Sequence, residues 1–304
     1  MKMNAGLAHI FPAKILLFGE YGIVAGGSGL AIPYKRYGGS LKFEAKQLEH
    51  SKAIESNSAL QQLFAFLNAE KIDYPFINLQ SFKQDCEAGL WFNSDIPSAY
   101  GLGSSGALVA AVYNAYKTND NNDLSLVKAR LAAIERFYHG LSSGIDPAVA
   151  YFQQTLVLRG NAGAGLLPDW SIEQSGLNVY LLDTGGQSKT SDLVEWFKKQ
   201  LEDDGFRRIS QTEFFDSNNR LVDAAINGEK FMFDDILAIS HFQLNYLAPM
   251  IPQAFRKHFE AGLEDGSFAL KLCGSGGGGY MLCFSHSNEC EKYFNDNGLS
   301  YLLL

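Results

Sequence analysis

Residues 97–110 read PSAYGLGSSGALVA, a run of small residues that leads directly into an alanine-rich segment. The apolar content of that segment, GALVAAVYNAYK at 106–117, predicts a largely buried helix. The exposed N–H groups and the dipole at a helix N-terminus attract anions, and glycine lets an anion approach the backbone. The stretch therefore predicts a phosphate-binding loop, here called the phosphate loop, made of Gly101, Leu102, Gly103, Ser104, Ser105 and Gly106.

Two other interpretations of this loop must be weighed. Ser104 or Ser105 could simply cap the helix. Gly101, Gly103 and Gly106 also have the G-x-G-x-x-G spacing of dinucleotide-binding oxidoreductases, but that motif directly follows a strand, whereas Pro97 and Ser98 intervene here. Two glycines together with two serines favour phosphate binding over either alternative.

A second glycine loop, GSGGGG at 274–279, lies between the apolar segments LKLC at 270–273 and YMLCF at 280–284, which are predicted strands. Four consecutive glycines would be costly in a plain hairpin. The composition therefore predicts close approach by a ligand or by another backbone segment. The chain lacks G-x-x-x-x-G-K-[ST], so a lysine that contacts phosphate would have to come from elsewhere.

Lys14 and Asp146 are candidates for the chemistry. Lys14 precedes the apolar run ILLF at 15–18, and a lone lysine there is typical of a solvated surface charge. Asp146 is followed by Pro147, which is an ordinary helix start with Asp at the N-cap. The same carboxylate could instead accept the proton of a substrate hydroxyl during phosphoryl transfer.

Glu135 lies near the end of a predicted amphipathic helix that covers 125–138. Its ordinary interpretation is a solvated charge that pairs with Arg130 or Arg136. Magnesium, however, prefers a few carboxylate or hydroxyl oxygens together with phosphate and water. Glu135 and Ser105 are therefore a candidate pair of magnesium ligands.

Composition limits the function classes. The chain has 304 residues, 46% of them hydrophobic, and a net charge of −8, which argues against a nucleic acid or an anionic membrane as the main partner. It contains no run of eighteen apolar residues and no signal-peptide pattern, so we expect a cytoplasmic protein. The four cysteines show no Cys-x-x-Cys spacing and are expected to be reduced thiols.

The length predicts two domains. Glycines and a proline at 160–176 suggest a linker, which places the domains at 1–165 and 166–304. Apolar spacing predicts helices at 56–69, 189–203, 218–227 and 230–247, and strands at 76–82, 90–92 and 179–182.

Three blocks in one order carry a family resemblance: PAKILLFGEYGIV at 12–24, PSAYGLGSSGALVA at 97–110 and KLCGSGGGGYMLC at 271–283. They resemble the three motifs of the GHMP kinases, the superfamily of galactokinase, homoserine kinase, mevalonate kinase and phosphomevalonate kinase. ERFYHGLSSGID at 135–146 is similar to the E-x-x-x-H-G-x-x-S-G-I-D segment of mevalonate kinases, and LDTG at 182–185 with Thr190 is similar to their D-T-G loop.

This resemblance implies an α+β fold, with an N-terminal domain of the ribosomal-protein-S5-like type and a C-terminal ferredoxin-like domain. It implies a kinase that uses ATP and Mg²⁺, with mevalonate as the leading acceptor in isoprenoid precursor synthesis. Asp146 would be the base or orienting carboxylate, paired with Lys14, while Ser105 and Glu135 would hold Mg²⁺. Residues expected to bind substrate or shape the site are Glu20, Tyr21, Ser143, Gly144, Thr190, Gly274, Gly276 and Gly277.

Two departures from the mevalonate kinase pattern leave the acceptor open. The first block reads Gly19-Glu20-Tyr21 where those enzymes usually have Gly-Glu-His, and Ser105 is followed by Gly106 instead of alanine; both features are more similar to phosphomevalonate kinase. Phosphomevalonate, sugars and amino alcohols are therefore alternative acceptors, and a non-catalytic nucleotide-binding protein is the alternative of another class. The expected partner is a small-molecule alcohol, with no nucleic acid or membrane, and the chain is expected to be a monomer or homodimer.

Overall fold

The computed structural model describes residues 9–43, 49–69, 74–160, 163–186 and 190–304. Within these residues the chain divides into two compact units. The first contains the residues up to Lys14 together with 33–97 and 102–154, and the second contains 15–32, 98–101 and 155–304. The domain ranges 1–165 and 166–304 stay a prediction.

Helices and strands are mixed in both units, as the α+β prediction requires. The strands are β1 Phe11–Phe18, β2 Ser28–Lys42, β3 Trp91–Ser94, β4 Thr155–Arg159, β5 Ala164–Leu167, β6 Asn178–Asp183, β7 Phe268–Leu272, β8 Tyr280–Ser285 and β9 Tyr301–Leu303. The α-helices are α1 His50–Ala69, α2 Leu79–Glu87, α3 Ser104–Tyr116, α4 Leu124–His139, α5 Ile145–Phe152, α6 Thr190–Gln200, α7 Asp204–Ile209, α8 Asp216–Asn227, α9 Phe233–Tyr246, α10 Gln253–Asp265 and α11 Cys290–Asp296.

In the first unit, α3 packs against α4 and α5, and α4 packs against α5. Val109, Ala110 and Tyr113 of α3 have no exposed surface, which confirms the buried helix predicted from the alanine-rich segment. The end of β2 pairs antiparallel with β3, with Leu41 opposite Phe92. This packing fixes the first turns of α3 and α5 beside each other.

In the second unit, β6 to β9 form an antiparallel sheet of order β7-β8-β6-β9, in which Leu181 lies opposite both Leu282 and Leu302. Helices α9 and α10 pack on β7. The start of β2 pairs with β4, and β4 pairs with β5. Strand β5 thus lies inside the glycine-containing stretch 160–176, and the domain boundary placed in that stretch stays a prediction.

The strand predicted at 76–82 is also wrong. Ile77 forms a single bridge with Lys117, and α2 begins two residues later. Asn78 caps that helix, because its side-chain oxygen accepts a hydrogen bond from the Ser81 N–H. Among the helices of the described residues, none combines the length and the apolar content that a bilayer-spanning segment needs.

Candidate active site

Lys14 and Asp146 form an ion pair within the first unit. The Lys14 Nζ lies 3.1 Å from Asp146 Oδ2, and the two side chains are 8% and 33% exposed. The backbone N–H of Lys14 donates to the Leu102 carbonyl at 2.9 Å, which ties β1 to the phosphate loop. Lys14 is therefore a buried cation beside a carboxylate, not a solvated surface charge.

Two glycines of the phosphate loop leave room for this pair. A Cβ on Gly103, whose φ is +71°, would lie 2.8 Å from Lys14 Cγ and 3.3 Å from Asp146 Oδ2. A Cβ on Gly106 would lie 2.8 Å from the Asp146 Cβ. Real Cβ contacts are longer, so a side chain at either position would push the loop away from Lys14 and Asp146.

The start of α3 has no side-chain cap. Its N-cap residue is Gly103, and neither Ser104 nor Ser105 fills that position, so the capping interpretation of these serines is wrong. Ser105 Oγ instead lies 3.3 Å from His139 Nε2. Because no side chain caps them, the first N–H groups of α3 are suited to binding an anion.

Asp146 is not the N-cap of its helix either. The N-cap of α5 is Gly144, with φ of +69°, and Asp146 lies in the first turn. A Cβ on Gly144 would lie 2.4 Å from the carbonyl oxygen of Lys128 in α4, so only glycine allows this close packing. The neighbouring Ser143 hydroxyl accepts a long hydrogen bond, 3.5 Å, from the Ile145 N–H. Gly144 thus sets where α5 begins.

Glu135 is buried, with 4% of its surface exposed, and its carboxylate accepts a hydrogen bond from the Ser142 hydroxyl. Arg130 does not pair with it, because that guanidinium donates to Tyr113 and Asn119. The interpretation of Glu135 as a solvated charge is therefore wrong. Sequence reasoning also missed Ser142; its only signal is its place in the loop between Glu135 and Asp146.

Burial and, to a lesser extent, the charge of Asp146 raise the pKa of Glu135 to about 7, although the hydrogen bond from Ser142 and the charge of Lys14 act in the opposite direction. The carboxylates of Glu135 and Asp146 therefore repel each other, and the Lys14 ammonium partly offsets this repulsion. His139, which contacts Ser105, follows Glu135 by one turn of α4 and so lies on the same helix face.

These oxygen donors fit a magnesium ion. Mg²⁺ is usually held by one or two protein oxygens together with phosphate and water, and an added cation would relieve the repulsion between Glu135 and Asp146. Over the described ranges, no group of three or more His, Cys, Asp or Glu side chains is arranged to hold a metal by itself. Glu135 and Ser105 thus suit an ion that arrives with a nucleotide.

The second unit contains Glu20 and Tyr21. The ammonium of Lys271, fully buried, donates to the Glu20 carboxylate, to the Leu17 carbonyl at 2.7 Å and to the Leu272 carbonyl at 2.9 Å. Glu20 is therefore engaged in a buried ion pair. Sequence reasoning missed Lys271, since a lysine inside an apolar strand gives no indication of its partner.

The second glycine loop has positive φ at Gly274, Gly276 and Gly277. A Cβ on Gly276 would lie 2.6 Å from the Met250 carbonyl oxygen, so the predicted close approach is that of the protein's own backbone. Thr190 opens α6, but its side chain lies outside the described residues.

The raised pKa of Glu135 predicts a pH-dependent stability. The folded state keeps this proton between pH 4.5 and about 7, where the unfolded chain has lost it. The bound proton therefore adds roughly 3 kcal/mol to the free energy of unfolding below pH 4.5. This stabilisation is lost as the pH rises through about 7. We expect the melting temperature of wild type, relative to Glu135→Gln, to fall between pH 5 and 8 in thermal unfolding. Glu229→Gln, at an exposed position, is the control and should show no such pH dependence. If the difference in melting temperature between wild type and Glu135→Gln does not change with pH, the pKa of Glu135 is not raised.

Residues 64–154 match the family model described as the GHMP kinases N terminal domain. A mevalonate kinase from Pyrococcus abyssi is 28% identical over 309 residues, which cover 92% of this chain and 89% of that protein. Residues 64–154 thus match the GHMP kinase family, and the chain as a whole is similar to proteins named mevalonate kinase. The match to relatives named kinases makes it a phosphotransferase that acts on an alcohol.

Solved structures of the superfamily share the fold. The crystal structure of L. major mevalonate kinase in complex with R-mevalonate is 17% identical, with a TM-score of 0.60 over 94% of this chain and 89% of that one. Streptococcus pneumoniae phosphomevalonate kinase, in complex with phosphomevalonate and AMPPNP, is 16% identical, with a TM-score of 0.63 over 97% and 99% of the two chains. The GHMP kinase fold predicted from the three sequence blocks is confirmed.

Proposed function

We propose that this GHMP kinase transfers the γ-phosphoryl group of ATP to a hydroxyl of mevalonate in a magnesium-dependent reaction. The observation that carries the proposal is the Lys14–Asp146 ion pair, which lies against Gly103 and Gly106 of the phosphate loop. The acceptor rests on the curated relatives named mevalonate kinase, which the chain matches over 89% of their length.

Each residue has a defined part in this reaction. Asp146 orients the acceptor hydroxyl and takes its proton as the new oxygen–phosphorus bond forms and the bond to ADP breaks. The ammonium of Lys14, 3.1 Å from Asp146, favours the ionised hydroxyl and stabilises the negative charge that develops on it.

The phosphate-binding part of the site uses backbone and oxygen donors. The N–H groups of residues 101–106, at the uncapped start of α3, bind the ATP phosphates. Glu135 and Ser105 would hold Mg²⁺, which, when bound, neutralises phosphate charge. The cytoplasmic location and the monomeric or dimeric state stay predictions.

Phosphomevalonate is the second candidate acceptor. Gly19-Glu20-Tyr21 in the first block supports it, because that block is more similar to phosphomevalonate kinase than to mevalonate kinase. A non-catalytic role is disfavoured, since Lys14, Ser105, Glu135 and Asp146 are all retained.

The acceptor is tested by measuring ADP release from MgATP with mevalonate, phosphomevalonate, galactose, homoserine and a cytidylylated methylerythritol in separate reactions. We expect turnover with mevalonate alone. Turnover with only one of the other alcohols would support phosphoryl transfer from ATP but would identify that alcohol, not mevalonate, as the acceptor. Nucleotide binding without ADP release in any reaction would contradict the proposal and support the non-catalytic alternative.

A further inference from the structure

The backbone of the second glycine loop is bound by the protein itself. The Gly277 N–H donates to the Met250 carbonyl at 2.6 Å, and the Gly279 N–H donates to the Gly186 carbonyl at 2.6 Å. The Gly279 carbonyl accepts from both the N–H of Thr184, at 3.0 Å, and its hydroxyl, at 2.7 Å. A loop that cradles an anion turns its N–H groups to the ligand. Because two of these N–H groups donate to carbonyls, this loop resembles a scaffold more than an anion cradle.

Tyr21 reaches this loop from a strained backbone conformation. Its φ is +59°, in the left-handed region that bulky residues rarely adopt. Tyr21 as a whole is 4% exposed, the centres of its ring and the Phe197 ring are 4.7 Å apart, and its hydroxyl donates to the Ser275 carbonyl. Burial and the charge of Glu20 raise the pKa of this phenol, so it stays a donor. Strain of this kind persists where the surrounding contacts fix it, which often marks a functional position.

Glu20, the residue before Tyr21, binds β7, the strand that leads into the second glycine loop. Glu20 accepts from the buried ammonium of Lys271, the last but one residue of β7. The same ammonium donates to the Leu17 carbonyl. Glu20 therefore anchors the strand that leads into the loop, and Tyr21 anchors the loop itself.

The loop in turn packs against the residues at which the phosphate loop begins. A Cβ on Gly279 would lie 2.8 Å from the Cα of Tyr100, and a Cβ on Gly101 would lie 3.1 Å from the Cys273 carbonyl oxygen. The rings of Tyr100 and Tyr280 are 5.1 Å apart. A displacement of the second glycine loop would therefore move Tyr100 and Gly101.

We propose that Tyr21 is a positioning residue for nucleotide binding. Its hydroxyl holds the second glycine loop, and that loop holds the start of the phosphate loop in the conformation that binds ATP. The inference rests on the proposed function in that the ligand of the phosphate loop is ATP. It also reassigns Tyr21: since the hydroxyl is already bonded to Ser275, a tyrosine in the first block does not by itself indicate a phosphorylated acceptor.

The test is Tyr21→Phe, which keeps the ring and removes only the hydroxyl bond. We expect MgADP to bind about tenfold more weakly in calorimetry, the loss expected for one hydrogen bond. The KM for ATP should rise by a similar factor, while the KM for the accepted alcohol changes less than twofold. Tyr180→Phe, which removes a hydroxyl bond to Glu291 in the same unit, is the matched control and should bind MgADP as wild type does.

The outcomes separate this inference from the proposed function. A Tyr21→Phe protein that binds MgADP like wild type, or that loses affinity for the acceptor instead, overturns the inference alone. A wild-type protein that binds no MgADP overturns the proposed function and the inference with it. If Tyr21→Phe does not fold, Thr184→Val removes a second side-chain hydroxyl bond to the loop, the one to the Gly279 carbonyl. It should show the same selective loss of nucleotide affinity, and unchanged affinity would overturn the inference.

Discussion

Replacing Asp146 with asparagine is expected to lower kcat by about 10²–10⁴-fold, the range that a positioned general base contributes. Asparagine keeps the shape of the side chain but takes no proton, and it removes the negative charge 3.1 Å from the Lys14 ammonium. Initial rates of ADP release at saturating MgATP and acceptor measure the loss. Binding of MgADP should persist, because the phosphate loop keeps its glycines.

Asp123→Asn is the matched control for this substitution. Asp123 is the N-cap of α4, where its side chain accepts from the Leu126 N–H at 2.7 Å, and asparagine caps helices equally well. We expect this variant to keep wild-type turnover. Full turnover in Asp146→Asn would show that the Asp146 carboxylate does not accept the proton of the substrate hydroxyl and has only a structural part in the first turn of α5.

Replacing Lys14 with methionine should lower kcat/KM by about 10²–10³-fold, as is typical when one group that stabilises developing charge is removed. Methionine approximates the length of the lysine stem, so the packing of β1 against Gly103 should survive. The loss is measured in the same ADP-release assay, with thermal unfolding to confirm that the variant is folded.

The control for Lys14 is Lys35→Met, a lysine that is exposed on β2. Its loss changes the net charge by the same amount and should leave the rate unchanged. Equal rates in Lys14→Met and Lys35→Met would mean that the buried ammonium does not act on the reaction, and the stabilising role would have to be reassigned.

Local pattern was sufficient for the elements that carry the phosphate loop. The apolar content of 106–117 predicts α3, because a helix pattern depends on residues adjacent in the chain, while the anion site at its start stays a prediction. The prediction of a strand at 76–82 is wrong, and the reason is also local in sequence. Its apolar residues suit a strand, but Asn78 caps a helix there, and a cap of this kind overrides a short apolar run.

Contacts between distant segments explain what the sequence left open. A lone lysine is usually solvated, and only the fold shows that Lys14 is buried beside Asp146. Glu135 has arginines nearby in sequence, yet burial and Ser142 determine its surroundings. Lys271 and Glu20 are paired across most of the chain, a relation that neither local sequence indicates. The resemblance to a family indicates these residues, but it does not indicate the contacts that they make.

Transfer of a phosphoryl group to mevalonate through Asp146 can be observed by following the labelled γ-phosphate of ATP in a single turnover, with wild type and Asp146→Asn in parallel. We predict that wild type transfers the label to mevalonate, whereas the variant binds nucleotide but transfers the label at least about a hundredfold more slowly. Label released as inorganic phosphate, or equal transfer by both proteins, would rule out transfer to mevalonate through Asp146.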